Sequence, residues 1–300
     1  MSTLLRGIIP PLVTPLLDNN TLDTQGLERL IEHVITGGVN GIFILGTTGE
    51  AQSLSFNLRI EMIRQTAKIL NKRLPLLVGI SDTSIVDSIK LSQIAYEVGA
   101  DAVVSAPPYY FATGQAELAE FYESLIPQLE LPVYLYNMPT HTKVMFSPDT
   151  IKRIAADNKV IGFKDSSANG CYFQSVMYTM QDHPDFSFFV GPEEMMAEAV
   201  LLGAHGGVNG GANIFPKLYV DLYKAASTRN IEEVQRLHQK VMQISSNIYT
   251  VGSYGSSYLK GVKCALSVLH ICNDFIAAPF NKFGDEQRNK IRAAIESLDL

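Results

Sequence analysis

Short apolar runs alternate with longer stretches whose apolar positions recur at helical spacing, almost without interruption to about residue 226. That alternation predicts repeated βα units around a parallel sheet. Eight runs qualify as strands: 7–13, 41–45, 76–79, 102–105, 133–136, 160–164, 186–190 and 206–208. Eight such units in about 220 residues predict a closed (β/α)8 TIM barrel, since a doubly wound sheet more often stops at about five to seven strands. Helix punctuation agrees. Ser84, Ser147-Pro148 and Asn213 with nearby Pro216 supply the N-cap and first-turn residues that helix starts favour, and Gly37-Gly38, Gly99 and Gly203 sit where helices should end. Beyond residue 228 no strand-like run recurs, and helical stretches at about 230–249, 257–271 and 284–297 follow. The expected organisation is a barrel over residues 1–227 and a C-terminal helical annex over 228–300, with no low-complexity linker between them.

Composition narrows the possible partners. With 46% hydrophobic and 18% charged residues the chain has material for a sizeable buried core. Its net charge is −6 and it has no Lys/Arg cluster, which argues against a nucleic-acid or anionic-membrane footprint and leaves small molecules as partners. No apolar run is long enough to span a membrane, and Pro10, Pro11 and Pro15 interrupt the stretch after Arg6, unlike a signal-peptide core. Cys171, Cys264 and Cys272 are odd in number and lack C-x-x-C spacing, so they read as reduced, buried thiols of a cytoplasmic protein. No His/Asp/Glu cluster closes the strands with ligand spacing, so neither a metal nor another cofactor is expected.

A barrel enzyme builds its active site at the C-terminal ends of its strands, so polar residues closing apolar strands are the candidates. In Val160-Ile161-Gly162-Phe163-Lys164, alternation puts Val160, Gly162 and Lys164 on one face and Ile161 and Phe163 on the other. If the second face meets the helices, Lys164 points into the barrel mouth. A lone strand-end lysine also fits a surface residue opening the next loop. Among apolar walls, however, its ammonium loses solvation, and the free amine becomes a nucleophile for a keto group. Gly162 is expected to leave room for substrate below it. Gly46-Thr47-Thr48-Gly49-Glu50 follows the second strand, with hydroxyls able to donate to a carboxylate, although it also fits a plain strand-to-helix turn. Tyrosines close the fourth and fifth strands in Pro107-Pro108-Tyr109-Tyr110 and Tyr136-Asn137-Met138-Pro139, and offer phenols for a proton relay as well as packing surface. The glycine run 206–211 lacks the lysine and hydroxyl of a P-loop, and is read as backbone against which substrate lies.

In combination, Gly46 to Glu50, Pro108-Tyr109-Tyr110, Tyr136-Asn137-x-Pro139, Gly162-Phe163-Lys164 and Val190-Gly191 resemble the dihydrodipicolinate synthase and N-acetylneuraminate lyase family of pyruvate-dependent class I aldolases, essentially end to end. The resemblance implies Lys164 as the Schiff-base residue and Tyr136 as the phenol that shuttles protons. It also implies that Thr47 links Tyr136 to Tyr110, that Thr48 holds the pyruvate carboxylate, and that Gly191 and Val208 line the pyruvate pocket. Tyr110 would reach into a neighbouring subunit's site, implying a homo-oligomer, a dimer of dimers. The small-molecule partners would be a 2-oxo acid and an aldehyde.

The chain departs from the synthase pattern at His141. There the synthase carries an arginine for the carboxylate of the incoming aldehyde, and an imidazole cannot reproduce that charged bidentate fork. Lys143 stands nearby where glycine is usual. Phe56, Thr83 and Asp87 replace the histidine, asparagine and glutamate of lysine-inhibited synthases, so lysine feedback is not expected. On these residues a Schiff-base-forming aldolase or lyase ranks first, one that cleaves or forms a 2-oxo acid, such as a 2-keto-3-deoxy sugar acid, with pyruvate as product or substrate. The alternatives are dihydrodipicolinate synthase, a keto-deoxy acid dehydratase and a non-catalytic 2-oxo acid sensor.

Overall fold

The computed structural model describes residues 4–298. Its strands are β1 (Gly7–Ile8), β2 (Leu16–Asp18), β3 (Thr21–Leu22), β4 (Ile42–Ile44), β5 (Leu76–Gly79), β6 (Ala102–Ser105), β7 (Val133–Asn137), β8 (Val160–Asp165), β9 (Ser187–Val190) and β10 (Gly206–Gly207). Its helices are α1 (Thr24–Thr36), α2 (Phe56–Leu70), α3 (Ile85–Glu97), α4 (Gln115–Leu125), α5 (Pro139–Thr142), α6 (Pro148–Ile154), α7 (Gly170–Thr179), α8 (Met196–Leu201), α9 (Pro216–Ser227), α10 (Ile231–Ile244), α11 (Ser257–Val268) and α12 (Asp285–Ser297). The eight expected strands correspond to β1 and β4 to β10, all parallel, in the order β1-β10-β9-β8-β7-β6-β5-β4. A bridge between Pro11 and Phe43 brings the first strand back to β4 and closes the barrel. β1 is shorter than the expected 7–13 because Pro10 and Pro11 donate no N–H. The chain still stays in place, since Phe43 N donates to Pro10 O at 3.1 Å and Leu12 N to Phe43 O at 2.8 Å.

Two apolar layers result. Ile9, Phe43, Leu77, Val104, Tyr134 and Phe189 fill the barrel, and a larger layer joins the strands to the surrounding helices and the annex. The caps at Ser84 and Ser147 form as expected, each hydroxyl accepting a helix N–H, and Gly38, Gly99 and Gly203 take positive φ just past helix ends. Among the described residues no helix is long and apolar enough to cross a membrane. The outer bounds of the expected barrel and annex regions, residues 1–3 and 299–300, lie outside the described residues.

Several expectations need correction. An antiparallel pair, β2 with β3, precedes α1 and has no counterpart in the pattern reading. Asn213 caps no helix: α9 starts with Phe215 as N-cap and Pro216 in its first turn, while Asn213 Oδ1 accepts from Val13 N and its Nδ2 donates to Pro11 O and Gly210 O, stitching the barrel seam. Cys171 is exposed, and only Cys264 and Cys272 are buried thiols.

The alternation across β8 is also broken. The register slips by one between Val133 and Tyr134, so Ile161 is the extra residue of a bulge. Val160 therefore packs with the outer layer and Ile161 against the barrel interior, the reverse of strict alternation, while Phe163 faces outward as expected. Gly162 does not leave room for substrate: a Cβ there would stand 2.4 Å from the Tyr134 ring and 2.7 Å from Ser187 O. Its missing side chain seats Tyr134 under the lysine.

Candidate active site

Lys164 sits near the end of β8, buried, with Nζ 3.9 Å from the centre of the Tyr136 ring and 5.2 Å from that of Phe43. Register explains the first contact, since Lys164 pairs directly with Tyr136 on β7. Burial lowers the lysine pKa, and the favourable influence of Tyr136 and Asp165 offsets this only in part, so the amine is more readily deprotonated than an exposed one. Asp165, next along the strand, accepts from Asn137 Nδ2 at 2.7 Å and from the Ser167 hydroxyl at 2.8 Å. Burial nonetheless raises its pKa. Asn137 thus ties the end of β7 to that of β8, which holds Tyr136 and Lys164 in register.

Thr47 and Tyr136 meet as expected, with Thr47 Oγ1 and Tyr136 Oη 3.2 Å apart. Both line a cavity of about 730 Å³ together with Thr48, Lys164, Gly191, Val208 and His141. Seven of the eight expected site residues therefore converge on one space. The exception is Tyr110, which is 80% exposed on the loop after β6 with its ring edge-on to Phe111. His141 stands at the rim, its Nδ1 3.0 Å from Thr140 Oγ1. Partial desolvation and the neighbouring Lys143 lower its pKa, favouring the neutral imidazole near neutrality. Lys143, held at φ +62°, donates from Nζ to Thr140 O at 3.1 Å and lines a second hollow of about 400 Å³ that shares Thr47, Tyr136 and His141 with the first.

The opposite wall was not anticipated. Tyr249, Tyr254, Ser256, Tyr258 and Phe280, all from the C-terminal helices and their loops, line the main cavity with Glu193 and Glu194. A π-helical turn over Ser245–Tyr249 extends α10, a rare geometry that shifts side chains relative to an α-helix. It sets the Ser245 hydroxyl on Glu194 and points the buried Tyr249 phenol at Glu193. Glu193 accepts from Tyr219 Oη at 2.8 Å and from Gly211 N at 2.8 Å, and burial pushes its pKa up to about 7. The glycine run also has a packing role that was not expected. A Cβ on Gly210 would stand 1.6 Å from Tyr258 Oη, and one on Gly211 would stand 2.0 Å from Tyr219 Oη. These two glycines make room for phenols, and Gly210 also lines the main cavity. Glu193 and Glu194 follow β9 and could have been found by the same strand-end rule as Lys164, whereas nothing local marks Tyr249 or Tyr258.

The dihydrodipicolinate synthetase family matches residues 4–298. The chain belongs to this family. A dihydrodipicolinate synthase structure from Bacteroides thetaiotaomicron is 68% identical, with a TM-score of 0.97 covering 99% of this chain and 100% of that one. YagE, a prophage protein of the same family from Escherichia coli K12 solved in complex with pyruvate, is 28% identical with a TM-score of 0.94, covering 99% of this chain and 100% of that one. The "Probable 2-dehydro-3-deoxy-D-pentonate aldolase YjhH" of Escherichia coli K12 is 29% identical over 98% of this chain and 97% of that protein. As a member of the dihydrodipicolinate synthetase family the chain is a class I, pyruvate-dependent aldolase or synthase on a TIM barrel.

Proposed function

We propose that Lys164 attacks the keto carbon of pyruvate. The carbinolamine loses water to give an imine, and loss of a methyl proton then gives an enamine whose carbon joins an aldehyde; cleavage runs the same steps backwards. The observation that carries this reading is a buried amine with lowered pKa, 3.9 Å over the Tyr136 ring in a cavity of about 730 Å³. Tyr136, with Thr47 at 3.2 Å, moves the protons to and from the carbinolamine and the new bond. Thr48 holds the pyruvate carboxylate, and Gly191 and Val208 line the pyruvate pocket. Tyr110, too exposed to join its own site, completes the relay of a neighbouring subunit, so the working form is a homo-oligomer, a dimer of dimers, in the cytoplasm.

For the aldehyde, the 68% likeness to a dihydrodipicolinate synthase outweighs the 29% likeness to a sugar-acid aldolase. It reverses the order that the residues alone suggest, and condensation with aspartate semialdehyde is the first reading. Lys143 supports it as a rim cation that can replace the missing arginine. The second reading, an aldolase for keto-deoxy sugar acids, keeps one specific support: the uncharged ring of His141 beside Thr140 suits hydroxyls better than a carboxylate.

Borohydride reduction in the presence of pyruvate tests the core of the proposal. Mass spectrometry should find one adduct per chain, on the peptide containing Lys164. An adduct elsewhere, or none with active enzyme, rejects the assignment. Coupled assays of aspartate semialdehyde condensation and of pyruvate release from keto-deoxy acids then separate the two readings.

A further inference from the structure

Helix α11 grips the 46–50 turn at two points. Lys263 forms a buried ion pair with Glu50, and Tyr258 Oη stands 3.1 Å from Thr48 Oγ1. The first contact fixes the turn's backbone: Glu50 also accepts from Ala277 N at 2.8 Å, and its own φ of +58° is an uncommon conformation for a residue with a side chain. The second contact fixes a hydroxyl. Tyr258 is itself held from behind, its ring edge-on to Tyr249 with centroids 4.9 Å apart and its oxygen seated over Gly210. Tyr219 in turn donates to the buried Glu193, with the Tyr249 phenol beside it. A chain of packed phenols thus runs from the annex to one catalytic-pocket hydroxyl.

A threonine hydroxyl has one proton to give. If Thr48 spends it on Tyr258, none is left for a carboxylate; if Tyr258 donates, the Thr48 proton is free to point into the cavity. Burial pushes the Tyr258 phenol well above its ordinary range, so it remains protonated and available to donate. We infer that Tyr258 is a positioning residue for pyruvate binding: it donates to Thr48, turns that hydroxyl's proton toward the substrate carboxylate, and so lets the C-terminal annex set the affinity of the barrel's pocket. This rests on the reading of Thr48 as the carboxylate contact. It adds a residue 210 positions away in the sequence, from the annex wall of the same cavity.

A double-mutant cycle tests the inference, with trapped imine measured against pyruvate concentration and steady-state kinetics run in parallel. Tyr258→Phe keeps the ring and removes only the donor. Losing one net hydrogen bond corresponds to roughly two- to tenfold in affinity. Half-saturating pyruvate should therefore rise by about that factor in Tyr258→Phe, with kcat at saturating pyruvate within about twofold of the parent. Thr48→Val should raise it further, and Tyr258→Phe should add nothing in the Thr48→Val background. If Thr48→Val leaves pyruvate saturation unchanged, the carboxylate reading fails and the inference falls with it. If Thr48→Val weakens binding but Tyr258→Phe does not, or acts equally in both backgrounds, the carboxylate reading stands and the inference alone is overturned. A fall in kcat without a change in pyruvate saturation would assign Tyr258 to general packing, and overturns it too.

Discussion

The two walls of the cavity are put together differently. One carries Lys164, Tyr136 and Thr47 at the ends of β8, β7 and β4, each aimed by strand alternation or by the turn that ends its strand. The other is supplied by α11, the π-helical turn and the loops around them, which reach the barrel only through long-range contacts such as Tyr258 to Thr48 and Lys263 to Glu50. On the barrel wall a reactive group stands next to the group that tunes it, as Lys164 does beside Tyr136. On the annex wall the polar groups face one another, Glu193 bonded to Tyr219 and Gly211 N–H with the Tyr249 phenol alongside, and touch the chemistry only at the edge. Damage to the first wall should therefore appear in turnover, and damage to the second in stability and binding.

The largest effect expected is on the annex side. Lys263 is almost wholly buried against Glu50 and also donates to Phe275 O at 2.7 Å. Burial lowers its pKa while Glu50 opposes that shift, so the pair is mutually dependent. Lys263→Met leaves Glu50 as an unpaired buried charge, which typically costs about 3–5 kcal/mol. Chemical denaturation should register that loss, and the double variant Lys263→Met with Glu50→Gln should recover part of it. A single variant as stable as the parent would mean that the annex is not anchored through this pair.

Glu193 gives the next largest effect, and its sign is unusual for a carboxylate. Its pKa rises from 4.5 to about 7 on folding because burial disfavours the charged form more than its hydrogen bonds favour it. Between those two values the folded state holds a proton that the unfolded state has released. The associated stability is complete below pH 4.5 and is lost as pH rises through about 7. At about 1.4 kcal/mol per unit, the loss is on the order of 3 kcal/mol. Glu193→Gln, which cannot ionise, removes this slope. The stability difference between parent and variant, followed by denaturation from pH 4.5 to 8, should change by roughly that amount in the variant's favour. A constant difference would mean that Glu193 is ionised throughout.

On the barrel side, Tyr136→Phe keeps the ring over Lys164 and removes the phenol bonded to Thr47. Turnover should fall by about 10²-fold, the usual scale for a positioned acid–base group, while the melting temperature moves little. Parent-like turnover would reduce Tyr136 to packing and erase the contrast between the walls.

How much of this was legible follows the same division. Eight strands came from short apolar runs alternating with helical stretches, and Lys164, Tyr136 and the Thr47-Thr48 turn from strand-end chemistry, all local properties of the sequence, whereas Gly191, Val208 and His141 were marked only by the family resemblance. The bulge at Ile161 was not legible, because it depends on register with β7, and neither was the role of Gly162, which answers to the Tyr134 ring on that neighbouring strand. Asn213 looked like a cap because Pro216 follows it, yet its partners Val13 and Pro11 lie some 200 residues earlier. Tyr258 and Lys263 sit in a helix whose sequence reads as ordinary amphipathic packing. Contacts of that separation leave no mark on either segment alone.

The smallest effect concerns the rim of the barrel wall, where the annex has no part and the two readings of the aldehyde part ways. An incoming semialdehyde carboxylate needs a cation, and beside His141 the rim offers Lys143, exposed and bonded to Thr140 O. A hydrogen bond to a charged group is worth about 1.5–3 kcal/mol, and exposure and salt screening push this site to the low end, or roughly tenfold. If aspartate semialdehyde is the substrate, Lys143→Met should raise its KM about tenfold, and adding His141→Arg should restore it, because a guanidinium there supplies the charge that the ammonium gave. The KM for pyruvate should not move in either variant, since Thr48 and Lys164 are untouched. If a polyhydroxy aldehyde is the substrate, Lys143→Met should change little. His141→Arg should then lower efficiency, because a fork of donors replaces a ring that can both donate to and accept from hydroxyls. The pair of variants therefore reads the aldehyde's charge directly, by whether the arginine rescues or impairs.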